Sequence, residues 1–356
     1  MGQNAADAEQ SAHLRKRIRS WQRAALPGSG TGTAHGKVIL LGEHAVVYGA
    51  PALALPVPSL GCRARVACRF PGEGRVVGFR MVQLPPGVPS GPFLPPPHIT
   101  EGPIPEGLHM VVSALLRRAE LQVLPGVDIL LESGVPPARG LGSSAACARA
   151  VTHALDDLLG LQLSSEAVFE CVQSSETAVH GQASGIDALA TGSRRPVLLA
   201  GGHVSTPAVG ADGWIVVVDS GSGASTKEAV AMLRDSFAAH PGSRERFLDH
   251  STALTLAGLR SMAGGRLAEL GRRLTDCHQL LAGLGLTTER TDSLVDAALT
   301  GGALGAKMSG GGLGGCVIAL AATEPEADAL AALLLREHGV RCWTTRLVRE
   351  AEHAGT

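Results

Sequence analysis

The chain has 356 residues, 45% of them hydrophobic, and a formal net charge of −1. That length exceeds one compact core, so roughly two domains are expected, and the near-neutral charge offers no electrostatic basis for binding nucleic acid or an anionic membrane. Seven cysteines between Cys62 and Cys342 form no C-x-x-C pair and no Cys/His cluster of zinc spacing, no apolar run approaches a membrane span, and no apolar segment follows Arg15-Lys16-Arg17 as in a secretory signal. Reduced, buried thiols in a cytoplasmic protein are the expectation.

Residues 1–33 are polar and end in Pro27-Gly28-Ser29-Gly30-Thr31-Gly32-Thr33, which predicts a short helix and a flexible leader. Residues 36–55 alternate two apolar, β-prone runs with glycine-bounded turns, a hairpin-like pair with Glu43 and His44 at its turn. Ionisable groups are costly to bury unpaired, so these two are either a turn cap with a satisfied neighbour or functional groups. Strands are expected over 62–70 and 75–83, an exposed proline-rich loop over 84–105, a helix over 109–120 and a strand over 127–131.

That strand delivers the most informative stretch, Gly134-Val135-Pro136-Pro137-Ala138-Arg139-Gly140-Leu141-Gly142-Ser143-Ser144-Ala145-Ala146, which opens a helix running to Leu159. Glycines let backbone approach a ligand closely, and the first turn of a helix presents unpaired N–H groups and partial positive charge. By itself the stretch fits either a phosphate-binding loop or an ordinary strand-to-helix turn with a serine N-cap.

A second helix fits 164–180, with Glu176 in its last turns and Gly181 as its stop, followed by a small-residue loop, 181–188, around Asp187. Such an aspartate is a turn former or a functional carboxylate. Strands are expected over 196–199 and 214–219, and a hydroxyl- and glycine-rich turn at 220–227 opens another helix. The domain boundary is placed there: a leader 1–33, an N-terminal domain 34–222, a C-terminal domain 223–350 and a tail 351–356. Amphipathic helices fill 228–299, broken at Pro241-Gly242 and 283–285, and the glycine-rich loop 305–316 leads into a strand (317–321), a helix (324–338) and a strand (342–348). This second half is a mixture of helices with a small antiparallel sheet.

Two dinucleotide-type patterns fail in context. Gly140-x-Gly142-x-x-Ala145 has no acid-ended strand about twenty residues on, and Gly310-x-Gly312-x-x-Gly315 precedes a strand where a helix is required. No Walker loop, protein-kinase signature or G-x-S-x-G elbow is present. What remains is glycine loops in both halves with Lys37, Glu43, His44, Ser144, Glu176 and Asp187 near turns, the parts phosphoryl transfer requires. Of 31 cationic residues only four are lysines, and three of these (Lys37, Lys227 and Lys307) lie in or beside glycine-rich stretches. A compact ammonium there suggests a point charge for phosphate, though three positions are also compatible with chance.

With these residues assembled, the chain resembles the GHMP family of small-molecule kinases, and most closely its mevalonate-phosphorylating branch. Gly36-Lys37-Val38-Ile39-Leu40-Leu41-Gly42-Glu43-His44-Ala45-Val46-Val47-Tyr48-Gly49 is similar to the first motif of that branch, the 136–146 stretch to its phosphate loop, and Lys307-Met308-Ser309-Gly310-Gly311-Gly312-Leu313-Gly314-Gly315-Cys316 to its third motif. The resemblance implies an α+β two-domain fold, its N-terminal half like ribosomal protein S5 domain 2 and its C-terminal half ferredoxin-like, often as a homodimer. It implies ATP-dependent phosphorylation of the 5-hydroxyl of mevalonate, with another kinase of the family (phosphomevalonate or galactose) or a catalytically silent metabolite sensor as alternatives.

The resemblance further implies Asp187 as catalytic carboxylate with Lys37 beside it, and Ser144 and Glu176 as magnesium ligands. Pro137, Arg139, Gly140, Leu141, Gly142, Ser143, Ser144, Ala145, Gly310, Gly311 and Gly312 would hold ATP. Glu43, His44 and Thr226, with Lys37 and Asp187, would line the acceptor site. His35 stands where many relatives have proline, and Ala188 follows the aspartate where animal members have asparagine. The arginine- and alanine-rich composition suggests a bacterial member.

Overall fold

The computed structural model describes residues 28–68, 77–84, 103–118, 127–181, 183–223 and 226–349. The expected proline-rich loop, most of the leader and the tail 351–356 lie outside them. Two compact units are interleaved along the chain and do not follow a single cut at 222/223: one is Met1–His35, Leu60–Val135 and Ser144–Ala183, the other Gly36–Ser59, Pro136–Ser143 and Ser184–Thr356.

In the first unit, the part of β2 (Ala52–Cys68) from Leu60 onward forms a mixed sheet with β3 (Val77–Gln83) and β4 (Val127–Ser133). β4 lies in the middle, antiparallel to β2 from Cys62↔Ser133 to Cys68↔Val127 and parallel to β3 from Val77↔Val127 to Gln83↔Ser133. Val127, Ile129, Leu130 and Leu131 of β4 are buried, the pattern of a central strand. Helices α1 (Glu106–Arg118), α2 (Ser143–Leu159) and α3 (Ser165–His180) complete this unit, apart from Ser143. α3 starts where Ser164 Oγ accepts the Ala167 N–H at 3.3 Å, and α1 packs on α3 with Gly107 against Ser175.

Strand β1 (Ser29–Leu41) corrects one expectation, because its first residues were assigned to a flexible leader. Gly30 and Gly32 lie so close to α2 that a Cβ on either would run into the Ala154 or Ala150 carbonyl, and the buried stripe Ala146, Ala150 and Ala154 keeps the helix surface low enough for that approach. The glycines serve close packing, a use that composition alone cannot tell from flexibility.

In the second unit, β7 (Gly213–Asp219), β8 (Gly305–Ser309), β9 (Cys316–Ala321) and β10 (Cys342–Leu347) form an antiparallel sheet of order β10-β7-β9-β8. Val216, Val218, Val317 and Ala319 pack against Leu294, Val295 and Ala298 of α8 (Glu289–Thr300) and Ala327, Leu330 and Leu334 of α9 (Glu324–His338). Both helices begin with a capping box, at Thr288 and at Thr323. The remaining helices are α4 (Ile186–Ala190), α5 (Thr226–Ala239), α6 (Ser243–Ala263) and α7 (Leu267–Ala282).

β8 was expected to be loop; it pairs with β9 from Gly305↔Leu320 to Ser309↔Cys316, and Gly305 abuts Gly271 of α7. A second core joins Ile39, Val46, Ala52 and Ala54 to Ile186, Ala190, Val197 and Leu199. Here the first residues of β2 pair antiparallel with β5 (Val197–Ala200), which turns through Gly201 and Gly202 into the short, exposed β6 (His203–Ser205). Cys62, Cys147, Cys171, Cys277, Cys316 and Cys342 are free thiols, and Cys62 and Cys147 face each other at 3.8 Å between sulfurs.

Candidate active site

Lys37 lies on β1 with its side chain 2% exposed. A buried ammonium must be paired, and it is: Nζ stands 2.9 Å from Asp187 Oδ1 and donates to Gly140 O, also at 2.9 Å. Asp187 had been placed in a loop and is instead the second residue of the short helix α4, entered through Gly185 at φ +92. Its side chain keeps 33% exposure, so a fixed positive charge stands behind a carboxylate that reaches open space.

The Lys37 backbone N–H donates to Leu141 O at 3.0 Å, tying β1 to the glycine loop. Gly142 has φ +70, and a Cβ there would meet Lys37 Cγ at 3.0 Å. Gly140, at φ +72, lies against Gly310, at φ +100: a Cβ on Gly140 would sit 2.7 Å from Gly310 Cα and one on Gly310 2.5 Å from Gly140 Cα. Two loops some 170 residues apart in sequence therefore share one surface through bare backbone. Gly311 in turn abuts Thr226 at the start of α5. Gly315 N–H donates to Ser222 O at 2.8 Å and Ser220 Oγ to Gly315 O at 2.8 Å, which adds the hydroxyl-rich turn to the cluster.

Within the glycine loop, Pro137 is exposed, Leu141 buried and Ser143 half-buried, while Ala145 is buried one turn into α2. Arg139, expected among the phosphate-holding groups, is engaged elsewhere: Nε donates to Asp219 Oδ1 at 2.8 Å and an Nη to Gly221 O at 3.1 Å. Arg341 donates to the other Asp219 oxygen at 2.7 Å. Asp219 was read only as the end of a strand; an acid closing an apolar run ahead of a Ser-Gly turn was the signal for it.

Glu43 and Lys307 form an ion pair with both side chains fully buried, and Lys307 Nζ also donates to Met308 O at 2.6 Å. The Glu43 carboxylate, expected on the wall of the acceptor site, faces Lys307. The next residue, His44, is 6% exposed, and burial, followed by the charge of Lys307, pushes its imidazole down to about 4. On β8, Ser309 Oγ donates to Ile39 O and accepts from Ile39 N–H, both at 2.9 Å, two residues from Lys37.

Ser144 and Glu176 belong to the first unit. Ser144 is the second residue of α2 and half-buried; Glu176 on α3 is buried, its carboxylate 3.7 Å from His180 Nε2 one turn on. Hydroxyl and carboxylate oxygens are hard donors suited to magnesium, which commonly takes only one or two protein ligands and completes its shell with phosphates and water. Among the described residues no cluster of three His, Cys, Asp or Glu side chains could hold a metal by itself.

Comparison with known proteins decides among the readings this geometry allows. The family model for the N-terminal domain of GHMP kinases matches residues 108–194, and that for their C-terminal domain residues 255–341. Mevalonate kinases of Pyrococcus horikoshii and Thermococcus onnurineus are 33% and 35% identical over 301 and 309 residues, each alignment covering 81% of this chain and 88% of the relative. The chain belongs to the mevalonate kinases of the GHMP family. A crystal structure of Leishmania major mevalonate kinase in complex with R-mevalonate superposes with a TM-score of 0.72 at 26% identity, covering 90% of this chain and 96% of that one. The kinase has the family's two-domain α+β fold and, as a member, uses ATP. Both sequence relatives named are archaeal.

Proposed function

We propose that this kinase transfers the γ-phosphoryl group of ATP to the 5-hydroxyl of (R)-mevalonate, giving 5-phosphomevalonate and ADP, a step toward isoprenoids. The observation that carries the site assignment is the pairing of buried Lys37 with one-third-exposed Asp187 against the Gly140 carbonyl. Asp187 orients the acceptor hydroxyl and takes its proton as the new O–P bond forms and the bond to the β-phosphate oxygen breaks. Lys37 meets the negative charge that builds on the transferring group. The loop Gly140 to Ala145 and the start of α2 hold the phosphates through backbone N–H groups, with Gly310, Gly311 and Gly312 packed alongside. Thr226, beside Gly311, places a hydroxyl near the reacting oxygen, and His44 borders the acceptor.

The charge of the phosphates would be offset by a magnesium ion. Ser144 Oγ and the Glu176 carboxylate are the protein oxygens that would hold it. A homodimer and a cytoplasmic location belong to the same proposal; no helix among the described residues is long and apolar enough to cross a membrane. The arginine-rich composition supports a bacterial-type member, against archaeal sequence relatives.

A coupled assay of ADP release over mevalonate, phosphomevalonate, homoserine and galactose tests the substrate. Turnover is expected with mevalonate well above the others. Folded, ATP-binding protein that does not turn over mevalonate overturns the proposal, and turnover of any acceptor removes the silent-sensor alternative.

A further inference from the structure

The turn that carries His44 is strained, and its anchor is a residue the proposed chemistry does not use. His44 has φ +59 and ψ −42, and the Ala45 N–H donates across it to Glu43 O at 2.6 Å. This is a γ-turn of the positive-φ kind, rare and unfavourable for a residue with a Cβ, and such conformations persist only where the surroundings over-determine them. The residue before the turn is Glu43, whose carboxylate is fixed by Lys307.

Lys307 is itself held on every side. It sits in β8 opposite Ile318 of β9, Nζ donates to Met308 O, and the Met308 N–H donates to His278 Nδ1 at 3.3 Å. His278 Nε2 in turn lies 3.3 Å from Asp292. Cys277 of α7 also lies against Glu43, 4.0 Å away, and burial holds it as a thiol, pushed up to about 12. A buried ion pair is weak as a source of stability, since apolar residues of similar volume often do as well; its distinctive property is that it fixes position. What it fixes here is an imidazole whose buried Nε2 has no hydrogen-bond partner among the described residues, a group for which a bound ligand is the natural complement.

We propose that Lys307 is a positioning residue for the acceptor side of the site: through Glu43 it locks the γ-turn, so that the His44 imidazole offers Nε2 to a hydroxyl or carboxylate of the substrate. The identity of that substrate rests on the function proposed above. The placement and charge state of His44 do not, and they can be read without turnover.

The test compares Lys307→Met, Glu43→Gln and the double variant in full-length protein, with histidine-labelled NMR titration and separate KM values for ATP and mevalonate; a His44→Asn sample assigns the signal. Lys307→Met removes a repelling cation and leaves a buried carboxylate, so the His44 pKa is expected to rise by about one unit or more. The KM for mevalonate is expected to rise about ten-fold while that for ATP stays within about two-fold, since ten-fold corresponds to roughly one hydrogen bond. The double variant restores charge neutrality without the lock: the His44 titration returns toward wild type while the mevalonate KM stays high. It also serves if Lys307→Met alone does not fold. An unmoved His44 titration in folded Lys307→Met, equal effects on both KM values, or a double variant with wild-type mevalonate KM overturns the proposal. A wild-type enzyme idle on mevalonate overturns the substrate assignment and leaves the titration to judge Lys307.

Discussion

Lys37 Nζ stands 2.9 Å from Asp187 Oδ1 and equally far from Gly140 O, so one buried ammonium ties the carboxylate on α4 to the glycine loop. Replacing the carboxylate should therefore damage the chemical step more than nucleotide binding. Asp187→Asn is expected to lower kcat by roughly 10²–10⁴-fold, the usual worth of a positioned acid–base group, with ATP affinity changed only a few-fold. Single-turnover kinetics beside fluorescent nucleotide titration measure both, and near-normal kcat would remove Asp187 from its role.

Ser144, at the second residue of α2, is a proposed magnesium ligand. Ser144→Ala should raise the magnesium concentration for half-maximal rate by about ten-fold, the scale seen when groups supporting a metal are lost. A magnesium titration at saturating ATP is the measurement; an unchanged curve would mean the hydroxyl only caps the helix.

The Gly140–Gly310 contact can be separated from backbone strain. Gly49 also has positive φ, at +87, but a Cβ there meets nothing within 4 Å, whereas one on Gly140 meets Gly310 Cα at 2.7 Å. Gly49→Ala should cost about 1 kcal/mol through conformation alone, and Gly140→Ala about 3 kcal/mol or more because the loops must also part. Urea midpoints rank the two. Only Gly140→Ala should raise the KM for ATP; equal behaviour would show that the contact is slack.

His44 makes stability depend on pH. Its folded pKa is lowered from 6.5 to about 4 by burial and then by Lys307, so between those values the unfolded chain binds a proton that the folded chain refuses. Stability is therefore full above about pH 6.5 and is lost as pH falls toward 4, by up to about 3 kcal/mol. The difference between wild type and His44→Asn in urea unfolding at pH 7.5, 6, 5 and 4.5 isolates this group, and parallel curves would contradict it.

Most helices, the strands with apolar alternation and the glycine turns were legible from local pattern. So were the residue types at the site, because a glycine loop, an isolated lysine and a lone aspartate are unusual where they stand. Less legible were β8, whose Lys307 looks polar but is buried by a partner on β1's turn, and β6, which is short and exposed. The ion pairs of Glu43 with Lys307 and of Arg139 with Asp219 were not legible, because each joins residues far apart in sequence.

The sequence by itself determined the elements, the glycine positions and the family, because hydrophobic period, φ requirements and motif order are properties of neighbouring residues. Only the tertiary structure decided that Gly30 and Gly32 pack against α2, that Gly140 abuts Gly310, and that Lys307 reaches Glu43 across 264 positions. Those contacts depend on where distant backbone segments meet, and a buried charge states only that it needs a partner, never which one.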